Sequence, residues 1–201
     1  MNKLEGFYEL KKMGIPVIPW QPFTGQEALD DNLLWTVRVA LLRGNDFNLP
    51  RAVGVTAQEA LSIGREYLAR FSPDDLIIYY PYFIALKSGV IDIQSTRTII
   101  EAVDKDLWNL TTLGLRDVTI IIDHLTGDVS TYGQAEFLDH DEVTELMNYA
   151  RRIRAIHRDY IFASSSVLME WSYAVNTNVE RELLSNKYLV FMECKVVVAQ
   201  S

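Results

Sequence analysis

Two glutamates within apolar segments are the residues best suited to chemistry in this sequence. Glu170 is the one charged residue in the segment 168–171, and Glu193 is the one charged residue in the segment 191–194. A carboxylate buried without a partner costs several kcal/mol, so the two indicate either buried ion pairs or a metal site. Oxygen ligands on adjacent strands suit Mg²⁺ shared with phosphate groups. Strand alternation offers a simpler interpretation, in which both side chains point to solvent, and the spacing leaves these alternatives open.

The other residue types that often carry chemistry favour structural roles here. His124 falls at a predicted turn, His140 just before a predicted helix, and His157 on that helix among arginines. We expect each histidine to be solvated or structural. Residues 164–166 are three serines without a nucleophile-elbow motif, and we interpret them as a loop. Cys194 lies in an apolar run and is predicted to be an inert, strand-buried thiol.

Composition and charge exclude several classes of function. The 201 residues are 49% hydrophobic and 23% charged, enough to bury a substantial core. The net charge of -8 argues against nucleic acid as a partner, because phosphate contacts need clustered Lys and Arg. No apolar run approaches the roughly 20 residues of a membrane-spanning helix, and the start of the chain does not resemble a signal peptide. We therefore expect a cytoplasmic protein that does not enter the membrane.

The periodicity of apolar residues predicts an α+β protein with a mostly antiparallel sheet and packed helices. There is no repeat or linker, so we predict one domain over residues 1–201, composed of one or two lobes. Helices are predicted at 6–13, 57–71 and 141–160, and the second begins with a capping box of Thr56 and Glu59. Strands are predicted at 15–19, 33–42, 76–85, 89–93, 98–103, 118–123, 129–132, 167–174 and 188–199. The glutamates lie on the last two strands, which we expect to be neighbours.

Short motifs occur in a fixed order along nearly the whole chain. They are Lys3 before Glu9-Leu10, Gly-Ile-Pro-Val-Ile-Pro at 14–19, Trp-Thr-Val-Arg-Val-Ala at 35–40, Leu49-Pro50, Ser-Gly-Val at 88–90, Asp123 to Gly127, Met-Glu-Trp at 169–171 and Met-Glu-Cys-Lys at 192–195. This order resembles the ATP-binding, ATP-grasp domain of phosphoenolpyruvate synthase, pyruvate phosphate dikinase and the related rifampicin phosphotransferases. The resemblance implies an ATP-grasp-like fold that binds ATP or ADP with Mg²⁺.

The resemblance also implies roles for individual residues. Lys3 and Arg38 would neutralise nucleotide phosphates, and Glu170 and Glu193 would hold Mg²⁺. Lys195 would replace a phosphate-contacting arginine, so that Arg38 and Lys195 form the catalytic pair. The segment 77–83, with Tyr82 as a cofactor-binding residue, would line the adenine slot. Catalysis in such a site depends on electrostatic positioning of a phosphoryl group.

The chain departs from the family at several of these positions. Val39 and Ala40 replace a Ser-Ser pair, Glu193 replaces a glutamine, and the segment 104–109 replaces a Gly-Leu-Gly-Glu motif. The short interval from Lys3 to Arg38 indicates a compact version that lacks the family's helical insertion.

Three functions are compatible with these features. The first is an ATP-dependent phosphotransferase subunit whose phosphate acceptor is another protein, and the second is a degenerate nucleotide-binding module without turnover. The third is a non-enzymatic scaffold that forms a homo-oligomer and binds no nucleotide.

Overall fold

The computed structural model describes residues 3–42, 49–163 and 165–198. The helices are α1 (Lys3–Lys12), α2 (Ala57–Arg70), α3 (Trp108–Thr111), α4 (His140–Ile156) and α5 (Arg158–Phe162). The strands are β1 (Gln21–Pro22), β2 (Trp35–Ala40), β3 (Arg51–Val55), β4 (Leu76–Pro81), β5 (Phe83–Ile93), β6 (Arg97–Asp104), β7 (Val118–Asp123), β8 (Val129–Gly133), β9 (Ser165–Asn176) and β10 (Tyr188–Val198). No helix in the described ranges is long and apolar enough to cross a membrane.

These elements form two antiparallel sheets. The large sheet has six strands in the order β10-β9-β5-β6-β7-β8, and the small sheet has four in the order β1-β4-β2-β3. Every strand pair in both sheets is antiparallel. The predicted α+β class, with mostly antiparallel strands and packed helices, is confirmed. The predicted pairing of the last two strands, β9 and β10, is also confirmed.

One face of the large sheet, here called the covered face, packs against helices. Helix α1 contacts β10, α4 contacts β5, and α5 contacts β9. The main core lies between these helices and the sheet, and its fully buried side chains include Trp171, Ile91, Leu146 and Ile153. The largest apolar side chains of the central strands are therefore turned toward the helices, which leaves the opposite face for other contacts.

The opposite face of the large sheet, here called the cleft face, is turned toward the small sheet. Strand register places Val90 directly across from Glu170, and Glu170 directly across from Glu193. Successive residues of a strand point to opposite faces, so these three lie on the side away from Trp171. Helix α3 covers part of this face, because Leu110 packs against Val90.

The small sheet has one face against α2 and the other toward the large sheet. Helix α2 starts at the predicted capping box, in which the side chains of Thr56 and Glu59 each bond the other's backbone. On the second face, Ile78 and Tyr80 of β4 share a buried cluster with Ala174 of β9. The two sheets are therefore joined by an apolar contact.

Several predicted boundaries were wrong, and the two largest errors have physical reasons. The predicted strand 76–85 is two strands in different sheets, because the chain leaves the small sheet at Tyr82. The predicted helix 141–160 breaks at His157, which is 4% exposed. Ile161 follows Ile153 by eight residues. In one straight helix it would be rotated about 80° past two full turns relative to Ile153, so it could not reach the same core. The break brings both into that core.

Smaller errors concern segments with few local signals. The predicted strand 15–19 contains only one bridge, from Val17 to Phe191, since its two prolines have no N–H to donate. Ser165 and Ser166 begin β9 instead of lying in a loop, while Ser164 lies outside the described residues. The sequence analysis did not predict β1, β3 or α3. The predicted strand 118–123 is present with its predicted ends, and the other predicted strands and the first helix are present with shifted ends, although residue 199 is outside the described part.

Candidate functional site

A bulge in β10 determines where Glu193 points. The pairing of β10 with β9 shifts register between Phe191 and Glu193. Phe191 and Glu193 are two residues apart and would share a face in a regular strand, but Phe191 is buried in the core of the covered face while Glu193 lies opposite Glu170. Bulges re-aim side chains in this way, and they are common beside active sites. Both predicted metal ligands therefore occupy the cleft face.

The two glutamates meet an arginine from the small sheet. Arg38 of β2 is partly buried and hydrogen-bonds Tyr80 of β4, whose hydroxyl accepts the bond. Burial alone would lower the pKa of Arg38, but Tyr80, Glu193 and Glu170 together raise it. Both carboxylates thus favour the charged form of the guanidinium group. Glu193 is 8% exposed and also forms an ion pair with Lys195.

The structure thus brings together four of the residues singled out from the sequence: Arg38, Glu170, Glu193 and Lys195. The simple interpretation that both glutamates point freely to solvent is wrong, because Glu193 is buried and both act on Arg38. The side chain of Lys3 lies outside the described part of the chain, so its phosphate contact stays a prediction. Two carboxylates and two cations balance in charge, and both sheets contribute charged side chains to the cluster.

The donor set suits a cation that is shared with a ligand. Among the described residues there is no group of three or more His, Cys, Asp or Glu side chains that could hold a metal ion. A site made entirely of protein ligands is therefore not formed in those ranges. Two carboxylates directly opposite each other fit Mg²⁺, which usually keeps waters and takes its remaining ligands from phosphates. Glu170 and Glu193 are the residues that would hold it.

Tyr82 lies where the chain passes from the small sheet to the large one. Its backbone N–H donates to the carbonyl oxygen of Leu34 over 2.8 Å. Its ring lies beside Gly54, where an added Cβ would be 3.5 Å from the nearest ring atom. Gly54 has a φ of +67°, a conformation that favours glycine. Tyr82 is two residues from Tyr80, between β4 of the small sheet and β5 of the large sheet.

Sequence reasoning missed three residues of this region: Tyr80, Arg51 and Trp108. Tyr80 was included only as part of the segment 77–83, although its side chain bonds Arg38. Arg51 lies on β3 directly across from Arg38, and its guanidinium carbon lies 5.5 Å from the ring centroid of Trp108. The alternation of Arg51 and Val53 around small residues was a weak strand signal that could have located Arg51.

A separate depression lies several strands away from this cluster in the large sheet. It has a volume of about 470 Å³ and is lined by Ile120, Val129, Thr131, Ala135, Glu136, Leu138, Asp139, His140 and Val143. These residues belong to β7, β8, the loop that follows β8 and the start of α4, on the covered face and at the opposite edge from β10. None of the residues predicted for the site lines it.

Comparisons with known proteins give similarity only at the level of structure. No protein-family model matches the sequence, and no curated protein matches it. A solved structure of N5-carboxyaminoimidazole synthetase from Staphylococcus aureus complexed with ADP is similar, with 11% identity and a TM-score of 0.47. The alignment covers 96% of this chain and 42% of the synthetase. The macrocyclase MdnC of Microcystis aeruginosa MRC, bound with precursor peptide MdnA, is similar with 11% identity and a TM-score of 0.40, over 96% of this chain and 50% of MdnC.

This chain therefore spans half or less of the length of these two proteins. Both TM-scores lie below 0.5, so the likenesses assign no activity to the chain.

Proposed function

We propose that this chain binds ATP or ADP together with Mg²⁺ in the cleft between its two sheets, as a compact ATP-grasp-like domain. The observation that supports this most is the meeting of Arg38 with Glu170 and Glu193 across the cleft. A cation for phosphate and two carboxylates for a metal ion then belong to one cluster. The ATP-grasp assignment and the likeness to phosphoenolpyruvate synthase remain part of the proposal and depend on the motif order.

The charges of the cluster explain how it would accept a magnesium nucleotide. Like charges directly opposite on neighbouring strands are unfavourable, and here Arg38 and Lys195 compensate Glu170 and Glu193. Phosphate oxygens are better partners for Arg38, because a guanidinium group binds them bidentately. Bound Mg²⁺ would supply positive charge between the carboxylates and the phosphates. Residues 77–83 and Tyr82 would contact the adenine, and the side chain of Lys3 would add a phosphate contact.

Phosphate transfer is proposed separately from nucleotide binding. Arg38 and Lys195 would stabilise a transferring phosphoryl group, and the acceptor would come from another protein. The replacement of a Ser-Ser pair by Val39 and Ala40 favours a module that binds nucleotide and has lost turnover. Phosphate transfer to a partner, a cytoplasmic location and a cofactor role for Mg²⁺ stay predictions.

Calorimetric titration of ATP and ADP, with and without Mg²⁺, tests the binding proposal. We expect a micromolar Kd, about -8 kcal/mol, that requires Mg²⁺. The double variant Glu170→Gln with Glu193→Gln removes both metal ligands at constant shape and should weaken Mg²⁺-dependent binding by at least about tenfold. Glu101→Gln is the matched control, since Glu101 lies on the same face but pairs with Arg116 at 3.0 Å. Absence of binding by the unchanged protein would refute the proposal.

The exposed edge strand β8 favours the scaffold as a second candidate. All five of its residues are exposed, and Val129 and Tyr132 are each 61% exposed. The strand contains no proline and no charged residue, the usual devices that prevent edge-to-edge pairing. Two copies could pair antiparallel through β8 without placing like charges opposite each other. The mass in solution, measured by light scattering, should then be that of a dimer and fall to the monomer in Thr131→Lys; a monomeric unchanged protein would contradict this candidate.

A further inference from the structure

The small sheet carries a pair of arginines that mirrors the pair of glutamates on the large sheet. Arg38 of β2 and Arg51 of β3 are direct partners in the antiparallel register, so their side chains leave the same face of the small sheet. Glu170 and Glu193 have the same relation on the facing sheet. Like charges in this relation repel, and an anion between the two arginines would remove the repulsion.

Arg51 is at present held away from such an anion by an aromatic ring. It is exposed, and its guanidinium carbon lies 5.5 Å from the centroid of Trp108 on α3. Helix α3 is fixed to the cleft face through Leu110, which packs against Val90, the strand neighbour of Glu170. The contact between Arg51 and Trp108 therefore bridges the two sheets beside the glutamates.

We propose that Arg51 is a second phosphate-binding residue, which leaves Trp108 and joins Arg38 to clamp adjacent phosphates of a nucleoside diphosphate or triphosphate. This inference rests on the proposed nucleotide function and specifies its ligand class. Two forked guanidinium groups fit two linked phosphates, whereas a monophosphate engages one of them. Trp108 serves as the resting position of Arg51 in the protein without ligand.

The exchange of partners by Arg51 is chemically favourable. A cation–π contact with a ring that is 47% exposed is weak, because water screens the charge. A bidentate bond between a guanidinium group and phosphate is charge-assisted and stronger. Arg51 therefore interacts more strongly with phosphate than with Trp108. Its movement also removes the direct contact between Arg51 and Trp108, which would compete with the ligand.

Affinity measurements on Arg51 variants test this clamp. The ligands are ATP, ADP, AMP and inorganic tripolyphosphate, each with Mg²⁺. We expect Arg51→Ala to weaken ATP, ADP and tripolyphosphate by about tenfold and AMP by less than about twofold. Arg51→Lys keeps the charge but not the forked guanidinium group, and its affinity for these ligands should lie between those of the unchanged protein and Arg51→Ala. The matched control is Arg70→Ala: Arg70 makes a similar contact with Phe71, at 5.6 Å, at the end of α2 on the other side of the small sheet.

Fluorescence of Trp108 gives an independent readout. Trp20, Trp35 and Trp171 are 2%, 8% and 0% exposed, so acrylamide quenches mainly Trp108 at 47%. Binding of ADP should change this quenching as Arg51 leaves the ring, and Trp108→Phe should abolish the change. Without ligand, Arg51→Ala should already show the acrylamide quenching of Trp108 that the unchanged protein shows with ADP bound.

The outcomes separate this inference from the function on which it rests. If the unchanged protein binds ATP and Arg51→Ala binds it equally well, the clamp is refuted and nucleotide binding stands. If tripolyphosphate binds through Arg51 but ATP binds no better than tripolyphosphate, the arginine pair is supported and nucleotide recognition is refuted. If neither ligand binds the unchanged protein, both proposals are overturned.

Discussion

Two clusters with glutamates lie on opposite faces of the large sheet, and cations compensate the charge of the glutamates differently in each. On the covered face, Glu142 is 2% exposed and accepts hydrogen bonds from Lys87 at 2.7 Å and Lys187 at 2.8 Å. It also accepts the backbone N–H of Asp139 over 3.0 Å, within the capping box that starts α4. One carboxylate therefore has two cations and a backbone donor.

The cluster on the cleft face has as many carboxylates as cations. Glu170 and Glu193 are direct strand partners, and the cations that face them, Arg38 and Lys195, come from another sheet and from an exposed position on β10. The interaction with Arg38 depends on how closely the two sheets approach each other, whereas Lys195 lies on the same strand as Glu193. We therefore expect the covered cluster to contribute more to stability, and the proposed function requires the cleft cluster to exchange its internal pairs for Mg²⁺ and phosphates.

The largest effect should come from the packing of the covered face at Gly89. A Cβ there would lie 2.1 Å from the carbonyl oxygen of Glu101 and 2.4 Å from the ring of Trp171. We expect Gly89→Ala to lower the free energy of unfolding by about 3 kcal/mol, measured by urea denaturation. In the control Gly114→Ala only the left-handed φ of +68° matters, which costs about 1 kcal/mol. Equal losses would show that the covered face relaxes easily.

Glu142→Gln should have the second largest effect. It leaves Lys87 and Lys187 without their carboxylate, and because Lys187 is partly exposed we expect a loss of about 2 kcal/mol at neutral pH. Asp141→Asn, in the same turn and exposed, should stay within about 0.5 kcal/mol. A loss no larger than that control would refute a stabilising role for the covered cluster.

The pH dependence of stability tests the same cluster. Burial alone would raise the pKa of Glu142, but hydrogen bonds from Lys187, Lys87 and the backbone of Asp139 lower it below its ordinary 4.5. A carboxylate with a lowered pKa in the folded state stabilises above its unfolded pKa, and this contribution disappears as the pH falls through the folded value. The stability difference between the unchanged protein and Glu142→Gln should therefore shrink below pH 4.5. A constant difference would contradict the ion pairing.

On the cleft face, removal of both negative charges should change stability little. Glu170→Gln with Glu193→Gln relieves repulsion between direct partners while it weakens the attraction to Arg38, so we expect a net change within about 1 kcal/mol in urea denaturation. A loss as large as that of Glu142→Gln would mean that both clusters are structural, and the contrast between the two faces would fail.

The smallest effect concerns the residue between Glu193 and Lys195. Cys194 points to the covered face and is 1% exposed, and burial first, then Glu9 and Glu193, raise its pKa to about 12. We expect no labelling of the native thiol at pH 8 by a thiol reagent and complete labelling after unfolding in urea. Rapid labelling of the folded protein would show that β10 opens.

Local sequence signals predicted much of the fold. Helix α2 with its capping box and strand β7 lie where the periodicity placed them, because neighbouring residues determine caps and alternation. The burial of Cys194 in a strand was predicted correctly. Tyr82 was assigned to the interior of a strand and His157 to the last turn of a helix, since the changes of direction there serve packing with distant residues.

The sequence determined the identity of the candidate site residues, and the tertiary structure decided which of them meet. Glu170, Glu193, Arg38 and Lys195 could be named from their types and motif order alone. Their common location depends on a bulge before Glu193 and on the approach of the small sheet, and Arg51 joins them only through its register with Arg38. The sheet contact links Arg38 to glutamates more than a hundred positions away, and the register pairs residues of different strands, so no local pattern contains that information.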